Sequence, residues 1–254
     1  MKKSILLFCF LSFTLTIFSQ ESPLWVRYPS ISPDGKTIAF AYKGDIYTVP
    51  VEGGTAMAVT QNPAYDFHPI WSPDSKTIAF ASDRYGNFDI YTIPLTGGIP
   101  KRLTFYSLRE IPSSFTPDGQ NIIFTASIID LPENVGFPRT YLSELYSVPV
   151  KGGRIKQILS TPAEDAKYSK DKSKIIYHDC KGPEDYWRKH HTSSITRDLH
   201  LYDLTTGKHT KLTSFNGEDR SPVFSPDEKE VYFLSEQFGN NFNVCKLLIL
   251  KHIP

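Results

Sequence analysis

The sequence predicts an all-β fold, a β-propeller of four-stranded blades with about four complete blades and an unfinished fifth. Three observations lead there. A short turn pattern recurs, as Ser32-Pro33-Asp34-Gly35, Ser72-Pro73-Asp74-Ser75, Thr116-Pro117-Asp118-Gly119 and Ser225-Pro226-Asp227-Glu228, with a worn copy at Ser169-Lys170-Asp171-Lys172. Each copy runs into the same kind of strand: TIAFA, TIAFA, NIIFT, KIIYH and EVYFL. The intervals from Pro33 to Pro73, Pro117, Lys170 and Pro226 are 40, 44, 53 and 56 residues. Repeats of ~40 residues made of short strands mark propeller blades.

Each element follows from local chemistry. Proline presets φ at the second turn position, Asp tolerates the third, and Gly suits the fourth, as at Gly35 and Gly119. Ser75, Lys172 and Glu228 replace that glycine, so those turns either avoid positive φ or carry strain. In the strand that follows, Ile38, Ile78, Ile122, Ile175 and Val231 form one column, and Phe40, Phe80, Phe124, Tyr177 and Phe233 the next on the same face. The opposite face is also largely apolar, with Ala39, Ala79, Ile123, Ile176 and Tyr232, which suits a blade held between neighbours. A further strand begins at Asp45-Ile46-Tyr47, Asp89-Ile90-Tyr91, Glu144-Leu145-Tyr146 and Leu201-Tyr202, with His200 standing where the acids stand. It ends at Gly53-Gly54, Gly97-Gly98, Gly152-Gly153 or Thr206-Gly207, which are hairpin signals. MAVT, KRLT, KQIL and TKLT close the units. With the strand before each proline turn, that makes four strands per repeat, and no amphipathic helix is expected in the mature chain.

Residues 1–20 read as a secretory signal. Lys2 and Lys3 precede the mostly apolar run Ile5 to Phe18, and cleavage is expected near Ser19 or Gln20. The run is short for a membrane span, so no stable span is expected after cleavage. The product is expected to be exported, periplasmic or extracellular. The mature chain holds Cys180 and Cys245, far apart in different repeats, which do not make a disulfide framework. Lys and Arg number 28 against 27 Asp and Glu, leaving no basic field that argues for nucleic acid.

Residues 21–245 carry the repeats, and 246–254 read as an aberrant tail. After Phe242-Asn243-Val244-Cys245 a Gly-Gly turn and a closing strand are expected, and Lys246 to Pro254 supply neither. The expectation is the front piece of a longer protein. Two insertions break the rhythm, Ser127 to Ser143 and Lys181 to Arg197, and long loops on a regular scaffold tend to carry function.

Candidate sites are sparse. No G-x-S-x-G elbow is present, so no catalytic residue is assigned. The second insertion gathers Arg188, Lys189, His190, His191 and Arg197, a cationic group suited to a peptide carboxylate or an acidic partner. The alternative is a loop that packs on its blades through Tyr186 and Trp187. Adjacent histidines without partners at ligand spacing make a poor metal site. Asp66, Glu110, Glu164-Asp165 and Glu218-Asp219 recur before the innermost strand, where Asp66, Asp165 and Asp219 stand as candidates for peptide amines at a channel mouth. The alternative is that they cap loop backbone. No D-x-D-x-D spacing supports calcium, and no metal or cofactor is expected.

The opening PLWVRYP, the stretches SISPDGKTIAFAYKGDIYTVP and PIWSPDSKTIAFASDRYGNFDIYTIP, and above all YWRKHHTSSITRDLHLYD resemble the amino-terminal propeller of tricorn-type serine proteases, in particular exported bacterial members. The SPDG repeat itself is shared with TolB-type and dipeptidyl-peptidase-type propellers. The resemblance covers roughly residues 23 to 245. It implies a six-bladed propeller followed by further β-propeller, a PDZ-like module and a catalytic domain that this chain does not contain. By that resemblance the chain is a non-catalytic segment that gates or binds peptides for a serine peptidase. A stand-alone periplasmic TolB-type interaction propeller is the alternative, and a propeller lyase or glycosidase a third reading that would need paired carboxylates.

Overall fold

Nineteen strands occur in the computed structural model, which describes residues 25–128, 142–182, 192–239 and 241–249. The signal segment 1–20 lies outside the described residues. The first blade is β1 (Arg27–Ile31), β2 (Thr37–Tyr42), β3 (Asp45–Pro50) and β4 (Met57–Ala58). The second is β5 (Asp66–Trp71), β6 (Thr77–Ser82), β7 (Asp89–Pro94) and β8 (Lys101–Arg102). The third is β9 (Glu110–Phe115), β10 (Asn121–Ala126), β11 (Glu144–Pro149) and β12 (Lys156–Leu159). The fourth is β13 (Ala163–Tyr168), β14 (Lys174–Asp179), β15 (Leu199–Asp203) and β16 (Lys208–Lys211). The fifth holds three strands, β17 (Asp219–Phe224), β18 (Glu230–Ser235) and β19 (Asn243–Leu248). Every sheet is an antiparallel meander in chain order. Four four-stranded blades and a three-stranded fifth are what the repeats predict. The last strand runs to Leu248, three residues into the segment read as a tail, because Lys246, Leu247 and Leu248 pair with Tyr232, Val231 and Glu230.

The five turns close as expected, each with the fourth residue's N–H donating to the first residue's carbonyl at 2.8–2.9 Å. In every copy the first residue's hydroxyl also donates to the Asp carboxylate. That bond lowers the Asp34, Asp74 and Asp227 pKa values. Ser75, Lys172 and Glu228 do take positive φ, at 60°, 60° and 57°. Their side chains reach a neighbouring blade's turn: Ser75 Oγ accepts from Asp34 N–H at 3.2 Å, Lys172 Nζ pairs with Asp118, and Glu228 Oε1 accepts from Lys170 N–H at 2.7 Å. Left-handed backbone costs a side-chain residue about 1–2 kcal/mol, and these contacts between blades offset part of it.

The core lies between blades. Ala39, Ala41 and Ile46 of one blade pack against Phe80, Ile78 and Tyr91 of the next. The same faces meet where Ile70, Ala79 and Ile90 pack against Phe124, Ile122 and Tyr146. Phe80, Phe124 and Tyr177 are fully buried, each contributing about 1.5–3 kcal/mol by leaving water. A backbone bond also links successive blades. The first N–H of each inner strand donates to the carbonyl that precedes the third strand of the blade before: Asp66 to Gly44, Glu110 to Phe88, Ala163 to Ser143 and Asp219 to Arg197.

These bonds correct the fourth repeat. Arg197 occupies the place of Gly44 and Phe88, so Asp198, not His200, stands where Asp45 and Asp89 stand. The register agrees, since His200 lies opposite Tyr177 as Tyr47 lies opposite Phe40. LHLYD alternates with period two, so a slip by two residues keeps every side chain on its face and leaves no mark in the pattern.

Candidate functional site

The inner strands β1, β5, β9, β13 and β17 touch one another in that order and surround the propeller axis. Each carries a bulge at the same place. Tyr28-Pro29, His68-Pro69, Asp165-Ala166 and Ser221-Pro222 each oppose a single residue of the Phe40 column. The first residue of each pair has positive φ: 52°, 56°, 51° and 55°. In the third blade Pro112 holds that position, and a proline ring forbids positive φ, so the irregularity there is a single residue at Ser113. A bulge re-aims a side chain and leaves the ladder unpaired locally. Here it gathers side chains from different blades toward the axis.

Asp165 is the hub of that group. Its carboxylate accepts the Ser221 hydroxyl at 2.9 Å and lies 3.9 Å from both His68 Nε2 and His178 Nδ1. The Tyr28 ring packs against the His68 imidazole, with centroids 5.0 Å apart. His178 accepts the Ser221 backbone N–H at 3.2 Å and meets Glu164 at 3.3 Å. Lys167 Nζ donates to the Ser113 carbonyl. Burial would raise the Asp165 pKa, but His178, His68 and Lys167 hold it well below the usual carboxylate range. Burial likewise opposes ionisation of Glu164, and His178 and Ser143 bring its pKa down to about 2. Burial depresses the His68 imidazole, with Asp165 opposing. The Ser221 hydroxyl therefore donates to a carboxylate rather than to an imidazole, so Ser221, His178 and Asp165 do not form a nucleophile–base relay.

Among the other sequence candidates, Arg188, Lys189, His190 and His191 lie outside the described residues. Arg197 is 8% exposed, with its guanidinium 2.7 Å from Glu218 and 3.7 Å from Glu164. Asp66 is fully buried and ion-paired with Arg84 at 2.6 Å. Asp219 is 1% exposed, and burial raises its carboxyl pKa. Asp66, Glu110 and Asp219 start inner strands and are buried at the seams between blades, whereas Asp165, two places further along its strand, reaches the bulge. Sequence reasoning did not single out His68, His178, Ser221 or Lys167. A recurring bulge in the inner strands would have been the signal for His68, Ser221 and Lys167, whereas His178 lies on β14. Among the described residues no group of three or more His, Cys, Asp or Glu side chains is placed to hold a metal.

The family profile described as "Tricorn protease N-terminal beta propeller domain" matches residues 23–247. Dipeptidyl-peptidase 5 of Porphyromonas endodontalis is 34% identical over 122 residues, which are 44% of this chain and 17% of that protein. The crystal structure of the tricorn protease superposes with a TM-score of 0.74 at 18% identity, over 90% of this chain and 22% of that one. TolB from Acinetobacter baumannii superposes with a TM-score of 0.64 at 24% identity, over 88% of this chain and 51% of that one. The chain thus spans about half or less of each relative, and the two structural likenesses show the fold.

Proposed function

Because the chain belongs to the family of tricorn protease N-terminal β-propeller domains, we propose that it is the non-catalytic propeller segment of an exported tricorn-like serine protease. In this reading it gates or binds peptides for a catalytic domain that this chain does not contain. The family match carries the reading, and the axial geometry supports it. The axis presents half-buried polar groups, Asp165 and His68 on strained backbone and Lys167 beside them. Backbone strain of that kind recurs where a site is held in place. Peptide backbone offers both donors and acceptors to such a lining. Arg188, Lys189, His190 and His191 belong to the proposed contact loop. Arg197 of the same insertion is instead held by Glu218 and Glu164.

Export follows from the amino-terminal pattern of charge and apolar run. It is tested by cell fractionation with amino-terminal sequencing of the mature product, expected in the periplasm or medium with a start near Glu21. A cytoplasmic product that retains Met1 contradicts it. Peptide handling is tested by photo-crosslinking a mixed peptide library to the purified chain and locating the adducts. Adducts on the axial strands support the reading, and adducts confined to outer strands oppose it.

The fold also suits a stand-alone TolB-type interaction propeller, and the superposition on TolB favours keeping that second reading. Affinity capture from the periplasm separates the two, since the second reading predicts a stoichiometric folded protein partner.

A further inference from the structure

The fourth copy of the repeat departs from the others at two positions, and both departures face one cavity. At the turn side of the axis the ends of the inner strands border an open cavity of about 410 Å³, lined among others by Trp71, Phe115, Pro73, Pro117, Lys167 and Lys170. The second turn residue is proline in four copies and Lys170 in the fourth. The inner-strand residue after the bulge is Ser30, Ile70, Ser114 or Val223 in four blades and Lys167 in the fourth. One worn repeat thus places two lysines in a lining otherwise made of apolar residues and the serines Ser30, Ser113 and Ser114.

Those ammonium groups have backbone partners rather than carboxylate partners. Lys170 Nζ donates to the Pro226 carbonyl at 2.5 Å, and Lys167 Nζ to the Ser113 carbonyl. Among the described residues neither forms an ion pair within 4 Å. A carbonyl satisfies one of the three N–H donors of an ammonium and does not neutralise its charge. The charged groups that face them are Asp165, which acts on Lys167 through space, and Glu228, whose carboxylate accepts the Lys170 backbone N–H at 2.7 Å. The lining also holds Phe115 and Trp71, whose indole N–H donates to the Ser30 carbonyl of the neighbouring blade at 2.9 Å. A cavity of a few hundred Å³ with apolar walls and a few convergent polar groups is the general form of a small-ligand site.

We propose that this cavity binds a carboxylate attached to an apolar group, with the carboxylate on Lys167 and Lys170 and the apolar group against Trp71, Phe115 and the turn prolines. That the natural carrier is a peptide's carboxyl terminus rests on the reading above; the carboxylate preference does not. Charge-assisted hydrogen bonds are the strong kind, and one lost to a neutral ligand is worth about tenfold in affinity.

The test is calorimetric titration of the purified chain with acetyl-Ala-Ala-Phe as the free acid, with its carboxyl-terminal amide, and with 3-phenylpropionate. The acid is expected to bind at least about tenfold more tightly than the amide, and Lys167→Met and Lys170→Met each to weaken it about tenfold. Lys170 is exposed, so Lys170→Met decides the matter if Lys167→Met fails to fold. Equal binding of acid and amide overturns the proposal while leaving peptide handling intact. Lysine-dependent binding of 3-phenylpropionate without the peptide upholds the carboxylate site and counts against the peptide reading. Binding of none of the three, or binding that both variants leave unchanged, overturns the site.

Discussion

Replacing Glu110 by Gln should flatten the dependence of stability on pH. Glu110 is fully buried at the start of β9. Burial, with Asp89 beside it, pushes its pKa up to about 8 from an ordinary value of 4.5. Thr104 and Asp89 are its side-chain neighbours, and neither makes a well-formed hydrogen bond to either carboxyl oxygen. Burial raises the Asp89 carboxyl as well, with Arg102 opposing from 2.7 Å. Between pH 4.5 and about 8 the folded chain therefore holds a proton that the unfolded chain has released. The linked stability is fully present below pH 4.5 and is lost as pH rises through about 8. At about 1.4 kcal/mol for each pH unit, that interval bounds the loss at about 5 kcal/mol. Relaxation and water entry reduce it, and about 2 kcal/mol is expected. Glutamine keeps the shape and cannot ionise. Urea unfolding followed by circular dichroism at pH 5, 7 and 9 reads the difference between the two proteins, in which titrating groups other than Glu110 and its neighbour Asp89 cancel. The variant should gain about 2 kcal/mol on the parent between pH 5 and pH 9. Profiles that stay parallel to within about 0.5 kcal/mol would refute the reasoning, since a slope that survives the substitution belongs to other groups.

Other perturbations have equally definite outcomes. Ser75→Gly relieves positive φ at the cost of chain entropy and one exposed hydrogen bond, so chemical denaturation should show a gain of about 0.5 kcal/mol. Lys172→Gly should gain a similar amount, because the exposed pair it loses with Asp118 is worth little. Arg197→Met strips a buried partner from Glu218 and should cost about 3–5 kcal/mol in the same assay; a loss below about 1 kcal/mol would show that Arg197 is not held as described. Cys180 and Cys245 are both buried and neither is in a disulfide, and burial raises the Cys180 pKa, so a thiol reagent should label the two slowly in the native state and quickly in denaturant.

Residue spacing exposed the fold because each repeat carries its own turn chemistry. The proline turns, the Phe40 column and the Gly-Gly hairpins are local signals, and each blade is local in sequence. Where positive φ falls on Ser75, Lys172 and Glu228, the pattern left strain and avoidance open, and contacts between blades decide for strain. The misplacement of His200 has a similar origin: contacts outside the strand fix the phase, among them the bond from Asp219 N–H to the Arg197 carbonyl and that from Leu199 N–H to Thr213 Oγ1, which matches Ile46 to Thr60 and Ile90 to Thr104. The axial group was the least legible. A bulge adds a residue that breaks the period of two, so His68, Asp165 and Ser221 cannot be placed on a face by counting. The buried acids were visible as a recurring set. Their burial was not, because burial at a blade seam depends on a neighbour some 40 residues away.

The most direct measurement incubates the purified chain with a defined peptide mixture, separates bound from free by filtration, and reads both fractions by mass spectrometry. A non-catalytic peptide-handling propeller returns every peptide at its original mass, with part of the mixture enriched in the bound fraction. New cleavage products that vanish in the Ser221→Ala variant would contradict the account.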